Sequence, residues 1–143
     1  MKQTGELRPA GPEPRILCWE GEPVLTFFPP RIKLPPLTPR RVAAYYRRLE
    51  SAWLRRWEGV LYRRACAAAG AARSRSRPFE PWSAALTAEL SEEEGVLLVR
   101  WTAAETVQGR RGILSREDRW QLPGGPPLRS PNMGKRGSRV NFL

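Results

Sequence analysis

The sequence predicts an α+β fold: one long amphipathic helix packed on an antiparallel β-meander, with an N-terminal edge strand, in the order β-α-β-β-β. Three observations predict it. A single apolar stripe at helical spacing runs from Pro39 to about Ala72, the period switches to that of strands after Pro78, and turn segments at 91–95 and 107–110 divide the C-terminal half into three strands. A helix and a sheet that each carry one apolar face cover each other. At 143 residues with six Trp and four Phe, the chain makes one domain able to bury roughly two thirds of its unfolded surface.

Residues 1–21 read as a flexible N-terminal arm, polar and rich in Pro and Gly at its start. The domain proper is expected over 22–128. Its first element, PVLTFFPPRIKL (23–34), is apolar and β-prone, but Pro29 and Pro30 cannot donate to a ladder, so a strand here is broken or lies at an edge. Thr38 is placed to cap the helix, with Pro39 at its first position. Val42, Tyr46, Leu49, Trp53, Trp57, Val60, Ala67 and Ala71 then form the stripe, with Arg64 intruding on it and Glu58 in reach of Arg55. Strands are expected at 82–90, 96–106 and 112–122, and Trp53 and Trp57 should pack against Leu97, Val99 and Trp101. The basic tail 129–143 is expected to be mobile.

Charge is segregated. The chain carries +11 overall, and residues 38–77 hold eleven arginines against two acids, whereas 78–128 hold five arginines against eight acids. Arg47, Arg48, Arg55, Arg56, Arg63 and Arg64 form a candidate patch for an anionic partner, because a planar fork of donors suits phosphate. The aromatics interleaved with them in YYRRLESAWLRRWEGVLYRR (45–64) do not extend the patch. Tyr46, Trp53 and Trp57 fall on the stripe the fold must bury, leaving Tyr45 and Tyr62 nearer the polar side. A solvated helix face, or the codon usage of a GC-rich genome, produces the same arginines.

Catalysis has little to work with. There is no His, so Ser-His and Cys-His chemistry is excluded, and the only lysines are Lys2, Lys33 and Lys135, near termini or prolines. Cys18 and Cys66 lack the spacing of a metal site and are expected as free, buried thiols, with a disulfide between them in an oxidising compartment as the alternative. Glu92, Glu93 and Glu94 sit at a turn, where a solvated tip is the ordinary outcome. Glu117 and Asp118 are neighbours in a strand and must face opposite sides. The PGGPP turn at 123–127 lacks the spacing of a phosphate loop. No cofactor is implied. No apolar run reaches the ~18 residues of a membrane span and no signal sequence is seen, so a cytoplasmic location is expected.

FFPPRI (27–32), YYRRLESAW (45–53), LYRRACAAA (61–69) and above all DRWQLPGGPPL (118–128) carry a family resemblance. Over about residues 22–128 the chain resembles the small α+β domain of unknown function found in the extracellular part of lysozyme-sensing anti-sigma factors and beside some peptidoglycan deacetylase domains. Gln121 stands where that family has an acidic residue after its Trp. The resemblance implies the fold and a sensing role without catalytic residues. The leading expectation is therefore a non-enzymatic protein-interaction or ligand-sensing module with an unknown protein partner, acting through the exposed sheet face or loop tips. The alternatives are a nucleic-acid-associated protein using the arginine patch and a truncated family member without independent function. Oligomeric state is left open.

Overall fold

The helix and the three downstream strands form where the periodicity places them. In the computed structural model, which describes residues 13–123, five strands make one mixed sheet in the order β1-β2-β3-β4-β5. They are β1 (Arg15–Trp19), β2 (Glu22–Phe27), β3 (Trp82–Glu93), β4 (Val96–Val107) and β5 (Arg110–Gln121). One continuous helical segment covers one face: α1 (Arg40–Arg56), a π-turn (Trp57–Leu61) and α2 (Tyr62–Ser74). Residues 1–12 of the expected arm and the tail 129–143 lie outside the described residues. No helix among those described is long and apolar enough to cross a membrane.

The N-terminal region differs from expectation in two ways. Arg15–Trp19, placed in the arm by its setting of Pro and Gly, pairs antiparallel with β2 and forms the sheet edge. The expected edge strand is consequently interior, and β2 pairs parallel with β3 through Leu25↔Trp82 and Phe27↔Ala84. A parallel pair needs a long crossover, and the helix supplies it. Pro29 and Pro30 fall beyond the last ladder residue, and Pro23 sits where a bulge shifts the β1–β2 register. That bulge turns both Val24 and Leu25 into the core.

Glu20-Gly21, Glu94-Gly95 and Gln108-Gly109 each have positive φ at both positions. Such two-residue turns match the twist of a hairpin. β3 therefore runs on to Glu93, leaving Glu92, Glu93 and Glu94 exposed. A Cβ at Gly109 would meet nothing, but its φ of +79° strains any L side chain. Gly109→Ala is expected to lose about 1 kcal/mol, read from the denaturation midpoint; no change would remove the turn's claim on glycine.

Helix entry and register also depart from the reading. Pro39 takes the N-cap position, and Thr38 donates instead to the Pro35 carbonyl at 2.6 Å. The buried positions run Val42, Tyr46, Glu50, Trp53, Trp57, Leu61, Ala65 and Ala69. A run of four-residue steps drifts about 40° per step around an α-helix, and the wider turn at Trp57–Leu61 cancels that drift. Leu61 is 1% exposed where Val60 is 37%, Ala67 and Ala71 face solvent, and Arg64 is carried off the buried stripe. Trp53 meets Trp101 edge to face at 6.3 Å, as expected, whereas Trp57 packs on Phe27 at 5.3 Å.

Candidate functional site

Three acids among the described residues are buried, and each fastens the helical segment to another part of the fold. Glu50 accepts from the Ile32 backbone N–H at 2.7 Å and from Arg47 Nε at 3.1 Å, holding the proline-rich connection against α1. Glu105 of β4 takes Arg56 through two hydrogen bonds, at 2.6 and 2.8 Å, and Trp57 Nε1 at 3.0 Å. These hydrogen bonds raise the Arg56 pKa above its ordinary value against the opposing effect of desolvation. Asp118 of β5 accepts from the Tyr46 hydroxyl at 2.5 Å and Trp101 Nε1 at 3.3 Å, while Trp120 Nε1 donates to the Tyr46 oxygen at 2.9 Å. Each carboxylate accepts from groups of its own chain, an arrangement suited to clamping.

This geometry divides the six candidate arginines. Arg56 is withdrawn from the patch, because its guanidinium is engaged by Glu105 in a part-buried ion pair. Arg47 is exposed but reaches back to Glu50. Arg48, Arg55, Arg63 and Arg64 are exposed on the outer side. Arg48, Arg55 and Arg63 are spaced by seven and then eight residues, and the π-turn absorbs the extra residue so that all three keep to one side. Glu58 does not pair with Arg55; it forms its ion pair with Arg15 of β1. Both acids of the helical segment are thus turned away from this basic side. The polar-side tyrosines are engaged as well: Tyr45 meets Tyr46 edge to face and packs tilted against Trp120, and the Tyr62 hydroxyl donates to the Cys18 carbonyl at 2.7 Å.

The other face of the sheet has no helix over it among the described residues. The ladder puts Thr26, Ser83, Ala85, Thr87, Thr102, Ala104, Thr106, Ile113 and Ser115 there. Small side chains make this face flat. At one end, Phe28 and Ile113 flank Ala85 and Ala104, with Ile16 on the neighbouring edge, and these three large residues are 52%, 54% and 57% exposed. A shallow depression of about 360 Å³ lies over this region, lined among others by Phe28, Ala85, Ala104 and Arg111. Further along, Glu89, Arg100 and Glu117 form a row of alternating charge across β3, β4 and β5. Glu117 faces out and Asp118 in, as strand alternation requires.

Sequence reasoning missed the buried acids and β1, and it grouped Arg56 with the solvent-facing arginines. Both cysteines are free, but neither is buried as expected: Cys18, on the edge strand β1, is exposed and Cys66 is partly covered. Comparison with known proteins adds no relative to these observations: no family model, curated protein or solved structure matches the chain.

Proposed function

We propose that this chain is a non-enzymatic interaction module that takes a protein partner on the face of its sheet opposite the helix. The observation that carries the reading is the flat outer face with Ile16, Phe28 and Ile113 more than half exposed around a floor of alanines. Exposed apolar area gathered on one face, rimmed by polar residues, is characteristic of binding surfaces. The resemblance to the domain of unknown function in the extracellular part of lysozyme-sensing anti-sigma factors is in keeping with this reading. The buried acids contribute rigidity, so the face is presented preformed.

Affinity capture from a lysate, with Ala85→Arg as the face variant and Arg48→Glu/Arg55→Glu as the helix variant, tests this. Loss of the captured partner with Ala85→Arg and its retention with the helix variant is the expected result. The reverse pattern sinks the proposal.

A second reading, an anionic polymer bound along the helix, is favoured by one observation: Glu50 and Glu58 are both directed inward or toward β1, leaving that side basic. With Arg48, Arg55 and Arg63 as the contacts, the logarithm of affinity for duplex DNA should fall against log salt with a slope near about −3. Absence of binding at about 50 mM salt would end this reading.

A further inference from the structure

The two edges of the sheet are built differently. β1 is short, carries a register shift, and has the Cys18 carbonyl taken by Tyr62. Those are devices that blunt an edge. β5 is a twelve-residue strand whose ladder to β4 runs without a shift from Arg110 to Gln121 and which contains no Pro. Its other side has no paired strand among the described residues.

Which of its backbone groups point outward is set by the hairpin. A two-residue turn closes on a hydrogen-bonded pair, here Val107↔Arg110, so the even positions of β5 bond to β4. The bond from Leu122 N to Gly95 O at 2.7 Å fits the same alternation at the far end. Arg111, Ile113, Ser115, Glu117 and Arg119 therefore direct their N–H and C=O groups to the open edge. A second β5 adding antiparallel about a two-fold axis must set odd positions opposite odd ones.

Charge then selects among the registers. Of those that pair more than half of the strand, centring on Ile113 opposes Arg110 with Arg116, and centring on Ser115 opposes Arg111 with Arg119. Centring on Arg116, Glu117 or Asp118 puts that residue against its own copy. Like charges directly opposite are destabilising. Centring on Leu114 alone avoids them: Arg111 meets Glu117, Arg110 meets Asp118, Ile113 meets Ser115, and Leu114 meets Leu114.

We propose that the chain forms a two-fold dimer through β5, paired antiparallel about Leu114, which joins two five-stranded sheets into one. Glu117 already lies beside Arg100 at 3.3 Å and Arg119 at 3.6 Å. Arg111 of the second copy continues the row Glu89, Arg100, Glu117 with the next alternating charge. The paired stretch ends at each β4–β5 turn, so Arg119, Trp120 and Gln121 of β5 fall outside it. The dimer also sets the two outer faces side by side, independently of whether those faces bind a partner.

Sedimentation velocity between about 1 µM and 1 mM, a range suited to an interface of modest area, tests the proposal. The wild type is expected to pass from monomer to dimer. Arg111→Glu and Glu117→Arg, both at exposed positions, should each weaken the dimer about tenfold or more, since each reverses two symmetric pairs. The double variant Arg111→Glu/Glu117→Arg should recover it. A monomer at every concentration, as would arise if a later segment of the chain occupied the edge, overturns the proposal. Dimerisation unaffected by the single variants, or a double variant that recovers nothing, overturns it equally.

Discussion

Replacing Arg56 with alanine is expected to destabilise the fold by about 3–5 kcal/mol, the cost of leaving a buried carboxylate without its cation. Glu105 lies on the core face of β4 and is almost fully buried, and Arg56 supplies two of its hydrogen bonds. The loss is not a measure of how much the ion pair stabilises the protein. Desolvating both groups offsets most of their attraction, so the pair can be near neutral while removal of one member is severe. Arg56→Met combined with Glu105→Gln separates the two quantities. It abolishes both charges while keeping a carbonyl for Trp57 Nε1, which donates to Glu105 at 3.0 Å. The double variant should recover at least half of the loss. Chemical denaturation of the three proteins measures it, and a loss below about 1 kcal/mol for Arg56→Ala would mean that Glu105 is solvated rather than clamped.

Most of the fold was legible because periodicity reports burial directly. The residues Leu97, Val99 and Trp101 alternate with exposed or half-exposed neighbours along β4 and identify its inner face without help from any other segment. The continuation of that alternation puts Glu105 on the same face, and in β5 it puts Asp118 with Leu114 and Trp120. A charged residue at a core position was therefore visible in principle; its partner was not, since Arg56 is 49 residues away from Glu105 and Tyr46 is 72 from Asp118. The π-turn had a signal too. Trp53, Trp57, Leu61, Ala65 and Ala69 repeat every four residues, too slowly for a straight α-helix to keep on one face. Val60 offered a conventional three-residue step and concealed it. β1 had the weakest signal: RILCW is short, only partly covered, and recognisable chiefly through the Glu20-Gly21 turn that pairs it with β2. The arginine patch was legible as charge, but division of its members between clamping and exposure depended on which side of the helix met β4.

Asp118→Ala should have an effect comparable to that of Arg56→Ala, for a different reason. Asp118 is the acceptor for two buried donors, the Tyr46 hydroxyl and Trp101 Nε1, and alanine leaves both without a partner. At about 1–3 kcal/mol for each orphaned group, a loss of about 3–5 kcal/mol is expected. Tyr46→Phe is milder, because it orphans only the part-buried Trp120 N–H and leaves Asp118 its bond from Trp101. Its diagnostic is pH. Burial, then the hydrogen bond to Asp118, raise the Tyr46 hydroxyl pKa far above the ordinary value of 10.0. The folded protein keeps this proton while the unfolded chain begins to release it near pH 10, so the associated stability is fully present below about pH 10 and declines as pH rises further. One such tyrosine steepens the alkaline limb by up to about 1.4 kcal/mol per pH unit. Tyr46→Phe, followed by denaturant titrations from about pH 8 to pH 11.5, should flatten that limb while lowering stability at neutral pH. Equal slopes in the two proteins would show that the hydroxyl ionises in the folded state, and the network joining α1 to β5 would have to be redrawn with a solvated Tyr46.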